Sequence, residues 1–296
     1  MGWATHRSVG GTATYSGAVQ VEGEQALSEL VGQGGVVVLS GAGLSTESGI
    51  PDYRGPTGAA RPANPMTDQV FTGSGQARQR YWARSHLGWR AVARARPNGG
   101  HLAVAELQAA GLIDGIVTQN VDGLHQAAGA QDVLELHGAL DRVVCLSCGR
   151  LSGRDDLDAR LRGANPGWTR AVVALKPDGD VDLEQTSGFV VVDCEPCGGL
   201  LKPDVVFFGE TVPRDRVQRS FALVDSAAAL LVLGSSLTVM SGYRFVLRAA
   251  KLGIPVAIVN AGPTRGDAQA TVRVDAALGQ VLPALALRTA SLGSSA

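Results

Sequence analysis

Five short apolar runs punctuate the chain: Val36-Val37-Val38-Leu39, Gly115-Ile116-Val117-Thr118, Val133-Leu134-Glu135-Leu136, Leu230-Leu231-Val232-Leu233 and Val256-Ala257-Ile258-Val259. They are continuous rather than alternating, as expected of strands covered on both faces in a parallel sheet flanked by helices. Alanine-rich stretches between them, such as residues 101–110 and 241–251, have helical character. The pattern predicts a doubly wound α/β domain of Rossmann-like type. Three of the runs end in polar or glycine-rich turns, Ser40-Gly41-Ala42-Gly43, Gln119-Asn120-Val121-Asp122 and Gly234-Ser235-Ser236. Ligands of open α/β sheets bind outside the carboxyl ends of the strands, so these turns are expected to line one crevice.

Two stretches break this rhythm. Residues 55–98, with Arg78-Gln79-Arg80-Tyr81-Trp82-Ala83-Arg84 and Trp89, read as an arginine-rich helical insertion. Residues 139–200 hold all four cysteines and a polar run containing Pro166 and Pro177-Asp178-Gly179-Asp180, too poor in apolar residues for a core of its own. The expected organisation is a disordered tail (1–24), a sheet domain (25–138 and 201–288) carrying the helical insertion, and a small domain (139–200). Residues 289–296 are expected to fray.

Composition narrows the classes of function. The 296 residues are 45% hydrophobic and carry 26 Lys+Arg against 27 Asp+Glu, a formal net charge of -1. That balance offers no electrostatic footprint for nucleic acid or an anionic membrane. No apolar stretch reaches 18 residues and residues 1–20 have no apolar signal region, so a cytoplasmic protein is expected.

Every cysteine sits in one of two C-x-x-C pairs, Cys145 with Cys148 and Cys194 with Cys197. The gap between the pairs is longer than the usual ribbon spacing of about 15–20 residues, but four thiolates in two such pairs suit one tetrahedral Zn²⁺. Two separate redox dithiols are the alternative. A closed four-sulfur site leaves no position for a metal-bound water, so such a zinc is structural, and it would supply the folding energy that the small domain lacks.

Gly41-Ala42-Gly43 after a buried strand would let backbone N–H groups approach a pyrophosphate. Alone it is equally compatible with a tight turn that binds nothing. Thr46 stands where the dinucleotide fingerprint G-x-G-x-x-G wants its third glycine, which disfavours a hydride-transferring enzyme. Of the five histidines (6, 86, 101, 125 and 137), His125 and His137 lie in polar motifs. An unperturbed pKa near 6.5 suits a general base, although a His between a buried strand and a Gly is more often structural.

Taken in order, Glu47-Ser48-Gly49-Ile50-Pro51-Asp52-Tyr53-Arg54, Thr118-Gln119-Asn120-Val121-Asp122-Gly123-Leu124-His125, Glu135-Leu136-His137-Gly138, the cysteine pairs, residues 202–210, Gly234-Ser235-Ser236-Leu237 and Val259-Asn260 closely resemble the sirtuins, the NAD-dependent protein deacylases. The likeness runs from about residue 36 to 283. Residues 46–54, 78–84, 177–180, 241–245 and 262–265 are most similar to class II, whose mitochondrial member is a lipoamidase and ADP-ribosyltransferase.

The resemblance implies an enzyme that moves an acyl group from lysine to the ADP-ribose of NAD and releases nicotinamide. It assigns catalysis to His137 and Asn120, not to His125. Gly41, Ala42, Gly43, Ser45 and Thr46 would meet the pyrophosphate side of NAD. Gly49, Ile50, Pro51, Asp52, Tyr53 and Arg54 would form a loop closing over the nicotinamide ribose. Gln119, Asn120, Val121 and Asp122 would line the nicotinamide pocket, Asp122 accepting from the carboxamide. Gly234, Ser235, Ser236, Asn260, Ala261, Gly262 and Leu278 would contact the adenosine half. An acyl-lysine protein segment would add as a strand between Val206-Phe207-Phe208-Gly209-Glu210 and the stretch holding Leu237 and Val239, reading backbone more than side chains. Cofactors implied are NAD and one structural Zn²⁺.

Tyr81 and Arg84, at i and i+3 of an expected helix, share a face. Acid-preferring class III sirtuins carry a Tyr-x-x-Arg pair in a similar stretch, which would let Arg84 hold an acyl carboxylate bidentately. The competing reading packs Tyr81 into the core and leaves Arg84 solvated. Two further functions keep the same NAD site: ADP-ribose transfer to protein, and non-catalytic NAD sensing, against which the joint presence of His137 and Asn120 weighs.

Overall fold

A computed structural model describes residues 17–54, 65–168, 175–181, 183 and 185–293. Its strands are β1 (Val36–Ser40), β2 (Ile113–Thr118), β3 (Val133–Glu135), β4 (Gly138–Cys145), β5 (Leu151–Gly153), β6 (Leu201–Val205), β7 (Ala229–Leu233), β8 (Val256–Val259) and β9 (Val272–Val274). The helices are α1 (Gly17–Gly32), α2 (Asp68–Gly73), α3 (Gly75–Arg94), α4 (Gly99–Ala109), α5 (Leu124–Ala127), α6 (Arg154–Ala164), α7 (Arg214–Ser226), α8 (Met240–Leu252) and α9 (Leu278–Gly293).

Six strands form one parallel sheet in the order β3-β2-β1-β7-β8-β9. All five apolar runs of the sequence lie in it. Val36, Val38, Leu231 and Val259 pack on one face with residues of α1, α4 and α9, while Val37, Leu39, Val232 and Ile258 pack on the other with Tyr243, Phe245 and Val246 of α8. Successive side chains point to opposite faces of a strand, so a sheet covered on both sides needs both to be apolar. From β1 the order steps one way through β2 and β3 and the other way through β7, β8 and β9. The switch point at which such sheets bind ligands thus lies between β1 and β7.

The second sheet is antiparallel, in the order β5-β4-β6. Because β6 pairs with β4 there, with Cys145 opposite Leu201, residues 201–205 belong to the small sheet and not to the nucleotide-type sheet expected from sequence. The small sheet also shares its core: Phe71, Tyr81 and Trp82 of α2 and α3 pack with Val143, Leu157, Phe189 and Phe207. The helical insertion and the cysteine-bearing segment are one lobe, which explains how a segment short of apolar residues is covered.

Two terminal expectations need correction. Helix α1 begins at Gly17, within the stretch expected to be a tail, and of that tail residues 1–16 lie outside the described residues. Helix α9 runs to Gly293, and the buried Thr289 hydroxyl donates to the Leu285 carbonyl, so residues 289–293 continue the helix. The insertion's residues 55–64 and residues 169–174 of the polar run are likewise outside the described residues.

Candidate functional site

The two turns at the switch point touch through bare backbone. Gly41 N–H donates to the Leu233 carbonyl at 2.9 Å and Gly43 N–H to the Gly234 carbonyl at 2.8 Å. Gly234 has φ +60, and a Cβ there would come 2.5 Å from Leu44 N. Glycine is required for this approach as well as for the left-handed backbone. No α-helix starts at Gly41: single 3₁₀ turns at Ala42–Leu44 and Thr46–Ser48 follow instead, and Gly49 at φ +84 ends the second.

A cleft of about 930 Å³ opens at this point, between the carboxyl edge of the large sheet and the second lobe. It is lined by Gly41, Asp52, Tyr53 and Arg54 from the β1 side, Gln119, Asn120, Val121 and Asp122 after β2, His137, Gly234–236 after β7, Asn260, Ala261 and Gly262 after β8, and Leu278 of α9. Val206, Phe207, Phe208, Gly209 and Glu210 contribute to its wall, as do Leu237 and Val239. Of the positions singled out in the sequence, Gly49, Pro51, Tyr81 and Arg84 do not line the cleft. Glu47, Met66, Pro177, Asp178, Ser241 and Ala277 do, and were not foreseen.

His137 stands where the chain crosses from β3 to β4. Gly138 beyond it has φ +81, and an added Cβ would collide with the Asp204 carbonyl. Arg142 pairs with Glu135 and Asp204 on either side of the crossing. His137 Nδ1 lies 2.9 Å from the Gln119 carbonyl oxygen and Nε2 lies 2.9 Å from Ser241 Oγ. A carbonyl only accepts, so Nδ1 carries the proton and Nε2 receives the Ser241 hydroxyl. Burial holds the pKa of His137 below its usual 6.5, the Gln119 bond partly opposing and Arg216 and Arg244 adding to the depression. The ring is a neutral base with its lone pair on Nε2.

Beside it, Asn120 donates through Nδ2 to the Gly41 carbonyl at 3.1 Å and to Ser45 Oγ at 3.0 Å. Ser45 passes its own hydrogen to Asp122 Oδ2 at 2.7 Å, and Asp122 Oδ1 accepts from Leu124 N–H. Burial raises the Asp122 pKa, against the lowering effect of those two donors. Gln119 Nε2 spans the switch point, donating to Ser40 O and Ser235 Oγ.

A polar layer that the sequence did not reveal lies underneath. Ser40 Oγ donates to Thr118 Oγ1, which also receives the Asn120 N–H, and His125 Nε2 lies 2.8 Å from Ser40 Oγ. The His125 ring packs edge-on to that of His101 with centroids 5.2 Å apart. Both rings are buried, and His101 Nε2 and His125 Nδ1 find no partner among the described residues. Burial lowers the pKa of His101 to about 4 and that of His125 to about 3, with His101 adding to the latter. His125 therefore supports the floor of the site rather than entering it.

The Tyr81–Arg84 pair does not form a ligand site. Tyr81 is buried among Phe71, Trp82 and Phe207. Arg84 donates to the Leu183 carbonyl and pairs with Asp180 at 3.5 Å, so its guanidinium is committed to the segment that follows the cysteine-bearing sheet's helix.

The four cysteines meet beyond that sheet. Their sulfurs lie within 4.8 Å of one another, with Cys145 to Cys197 at 3.5 Å and Cys148 to Cys194 at 3.9 Å. Zn–S bonds of about 2.3 Å at tetrahedral angles place sulfurs about 3.8 Å apart, so the set fits one Zn²⁺. The Cys148 and Ser147 N–H groups point at Cys145 Sγ and lower its pKa, whereas burial and the neighbouring sulfurs raise that of Cys194, as expected of crowded thiols that ionise together only on a cation.

A dinucleotide-sized cleft at an α/β switch point, floored by Asn and Asp and edged by a neutral buried imidazole, with a four-cysteine module alongside, defines the class of protein. Residues 41–241 match the model of the Sir2 family. The chain is 61% identical over 257 residues to NAD-dependent protein deacetylase 1 of Streptomyces coelicolor, covering 86% of each protein. It is 52% identical to NAD-dependent protein deacetylase 1 of Mycobacterium avium, covering 85% of this chain and 90% of that one. Among solved structures, one described as a structural basis for the mechanism and regulation of Sir2 enzymes superposes with a TM-score of 0.73 at 30% identity, covering 92% of this chain and 99% of the other. A Sir2 complex with a p53 peptide and NAD+ gives a TM-score of 0.70 at 30% identity, with the same coverage. This chain belongs to the Sir2 family.

Proposed function

We propose that this chain is an NAD-dependent protein-lysine deacylase, which transfers the acyl group of an acyl-lysine to ADP-ribose and releases nicotinamide. The observation that carries the reading is His137: a neutral imidazole whose basic Nε2 faces the same cleft as Asn120 and Asp122. The cleft of about 930 Å³ is large enough for a whole dinucleotide, and its lining includes Leu278 and Asn260 as well as Asn120 and His137. When bound, NAD supplies the ribose carbon at which the acyl oxygen displaces nicotinamide.

The chain's own groups then have defined tasks. Asp122 accepts from the carboxamide with lone pairs that Ser45 and Leu124 leave free, and Asn120 is held toward the ribose by Gly41 and Ser45. His137 Nε2 takes a proton from a ribose hydroxyl once Ser241 yields its place, and the Gln119 carbonyl stabilises the imidazolium through Nδ1–H. The walls at residues 206–210 and 237–239 receive the substrate backbone as an added strand. Cys145, Cys148, Cys194 and Cys197 would hold a structural Zn²⁺ that closes the small sheet.

Within the family, the wording of residues 46–54, 78–84, 177–180, 241–245 and 262–265 supports class II. The net charge of -1 supports protein substrates rather than nucleic acid or anionic lipid, and we place those substrates in the cytoplasm; among the described residues no helix is long and apolar enough to cross a membrane. The test is nicotinamide release from NAD in the presence of acyl-lysine peptides, with His137→Ala beside it. Peptide-dependent release lost in the variant supports the reading. Label from NAD retained on protein instead of acyl-ADP-ribose would replace it with ADP-ribosyl transfer.

A further inference from the structure

Residues 175–181 form a small hairpin planted on α3. Leu175 bridges Val181, Lys176 N–H donates to the Asp180 carbonyl at 2.8 Å, and Gly179 N–H returns to the Lys176 carbonyl at 3.0 Å. Gly88 of α3 meets the Gly179 carbonyl so closely that no Cβ fits there. The Asp180 carboxylate fastens the hairpin by pairing with Lys176 at 3.4 Å and Arg84 at 3.5 Å. Its tip, Pro177 and Asp178, is thereby fixed in the wall of the cleft.

Burial raises the pKa of Tyr53 and of Tyr81, and the charge of Asp178, close to both, adds to the rise. The Tyr53 ring packs against Phe208 at 6.0 Å and the Tyr81 ring against Phe207 at 5.3 Å, and those two phenylalanines belong to the wall assigned to the acyl-lysine strand. The guanidinium that would greet an acidic acyl chain, Arg84, is occupied by Asp180. At the tip the wall offers instead the Asp178 carboxyl, whose Oδ1 accepts from Asp180 N–H at 3.2 Å, while the Arg54 guanidinium lines the cleft from the loop after β1.

The geometry points to Asp178 as a specificity-determining residue that disfavours acyl chains ending in a carboxylate and admits neutral ones; this rests on the deacylase reading. Like charges confined in a partly desolvated cleft repel strongly, whereas a neutral chain avoids that repulsion and can pack on Pro177, Met66 and the aromatic wall. Burial, then the neighbouring Asp180, push the Asp178 pKa up to about 6, with Lys176 opposing. The other titratable and charged groups around it are Tyr53 and Arg54 on the loop after β1 and Tyr81 and Arg84 on α3. Above pH 6 Asp178 is an anion, and below it the protonated carboxyl can donate a hydrogen bond to an acyl carboxylate. Selectivity against acidic chains is therefore greatest at high pH and fades as pH falls.

The experiment compares kcat/KM for acetyl-lysine and glutaryl-lysine versions of one peptide, read as nicotinamide release from NAD, between pH 8 and 5.5. Taking the ratio of the two peptides cancels the titration of His137. In the wild type the glutaryl-to-acetyl ratio is expected to be about 0.1 or less at pH 8 and to climb several-fold by pH 5.5. Asp178→Asn, nearly isosteric, is expected to raise the ratio at pH 8 about tenfold and to flatten its pH dependence. An unchanged ratio in Asp178→Asn overturns the assignment while leaving the deacylase reading intact, and so does a flat wild-type ratio, a measurement that does not depend on the variant folding. If neither peptide supports nicotinamide release by the wild type, the deacylase reading fails and the assignment with it.

Discussion

Ser241 Oγ lies 2.9 Å from His137 Nε2, on the one ring nitrogen that the Gln119 carbonyl leaves without a proton. A hydroxyl donating to a base stabilises its neutral form. The base is thus kept deprotonated, and in place, until a substrate hydroxyl takes the position of Ser241.

For catalysis, His137→Ala is expected to lower kcat by about 10²–10⁴-fold with little change in melting temperature. Because burial depresses the His137 pKa, the acidic limb of kcat/KM should lie below pH 6.5. Ser241→Ala removes a bond to the neutral ring and should move that limb upward. Stopped nicotinamide-release assays from pH 5 to 8, with thermal melts of the variants, check all three, and a limb above pH 7 in the wild type would contradict the burial-depressed pKa of His137.

The buried pair beneath the site makes stability fall in acid. Above pH 6.5 His101 and His125 are neutral in both the folded and unfolded chain and contribute no slope. As pH drops from 6.5 toward about 4 for His101 and about 3 for His125, the unfolded chain binds protons that the folded one refuses. Stability should then decline by up to about 1.4 kcal/mol per pH unit for each histidine. Urea midpoints measured from pH 7 to 4 should show the decline, and His125→Gln should make it shallower.

Metal analysis of the folded protein is expected to find one zinc per chain. Cys194→Ser, or prolonged chelation, should lower the melting temperature by about 10 °C or more, since the sulfur cluster closes the sheet on which β4 and β6 depend. Activity should be lost together with structure, tracked by the near-ultraviolet signal of Trp82 and Trp89, rather than in a folded protein.

At the switch point, Gly234→Ala forces a left-handed backbone on alanine and drives its Cβ to 2.5 Å from Leu44 N. A loss of about 2–3 kcal/mol is expected, with KM for NAD rising more than KM for peptide. Gly111→Ala, also at positive φ but with no atom within 4 Å of its Cβ, should cost less in stability and leave KM unchanged. Denaturant midpoints of the two variants compare strain alone with strain plus collision.

The large sheet was legible in the sequence because it is covered on both sides: Val36 and Val37 face different cores and both must be apolar. The turns after β1, β2, β7 and β8 were legible because glycine and amide residues directly follow those runs. The boundary at residue 201 was not, since Leu201 and Val205 look like any buried strand and only their pairing with Cys145 and Gly138 places them in the small sheet. Arg84 misled for a related reason. Its spacing from Tyr81 gives a shared helix face, but which face is turned to the cleft depends on Asp180, almost a hundred residues away. Asp178 was noticed as part of a polar run, and nothing short of the Gly88–Gly179 contact could seat it in the wall.

The chain leaves the large sheet through His137 and passes it again at Val206, whose N–H donates to the His137 carbonyl at 2.9 Å. The catalytic imidazole is therefore moored twice, its ring to the Gln119 carbonyl and its main chain to Val206. A residue clamped at the seam of two sheets keeps its aim with no ligand present, so the proton acceptor is already in register when substrate arrives.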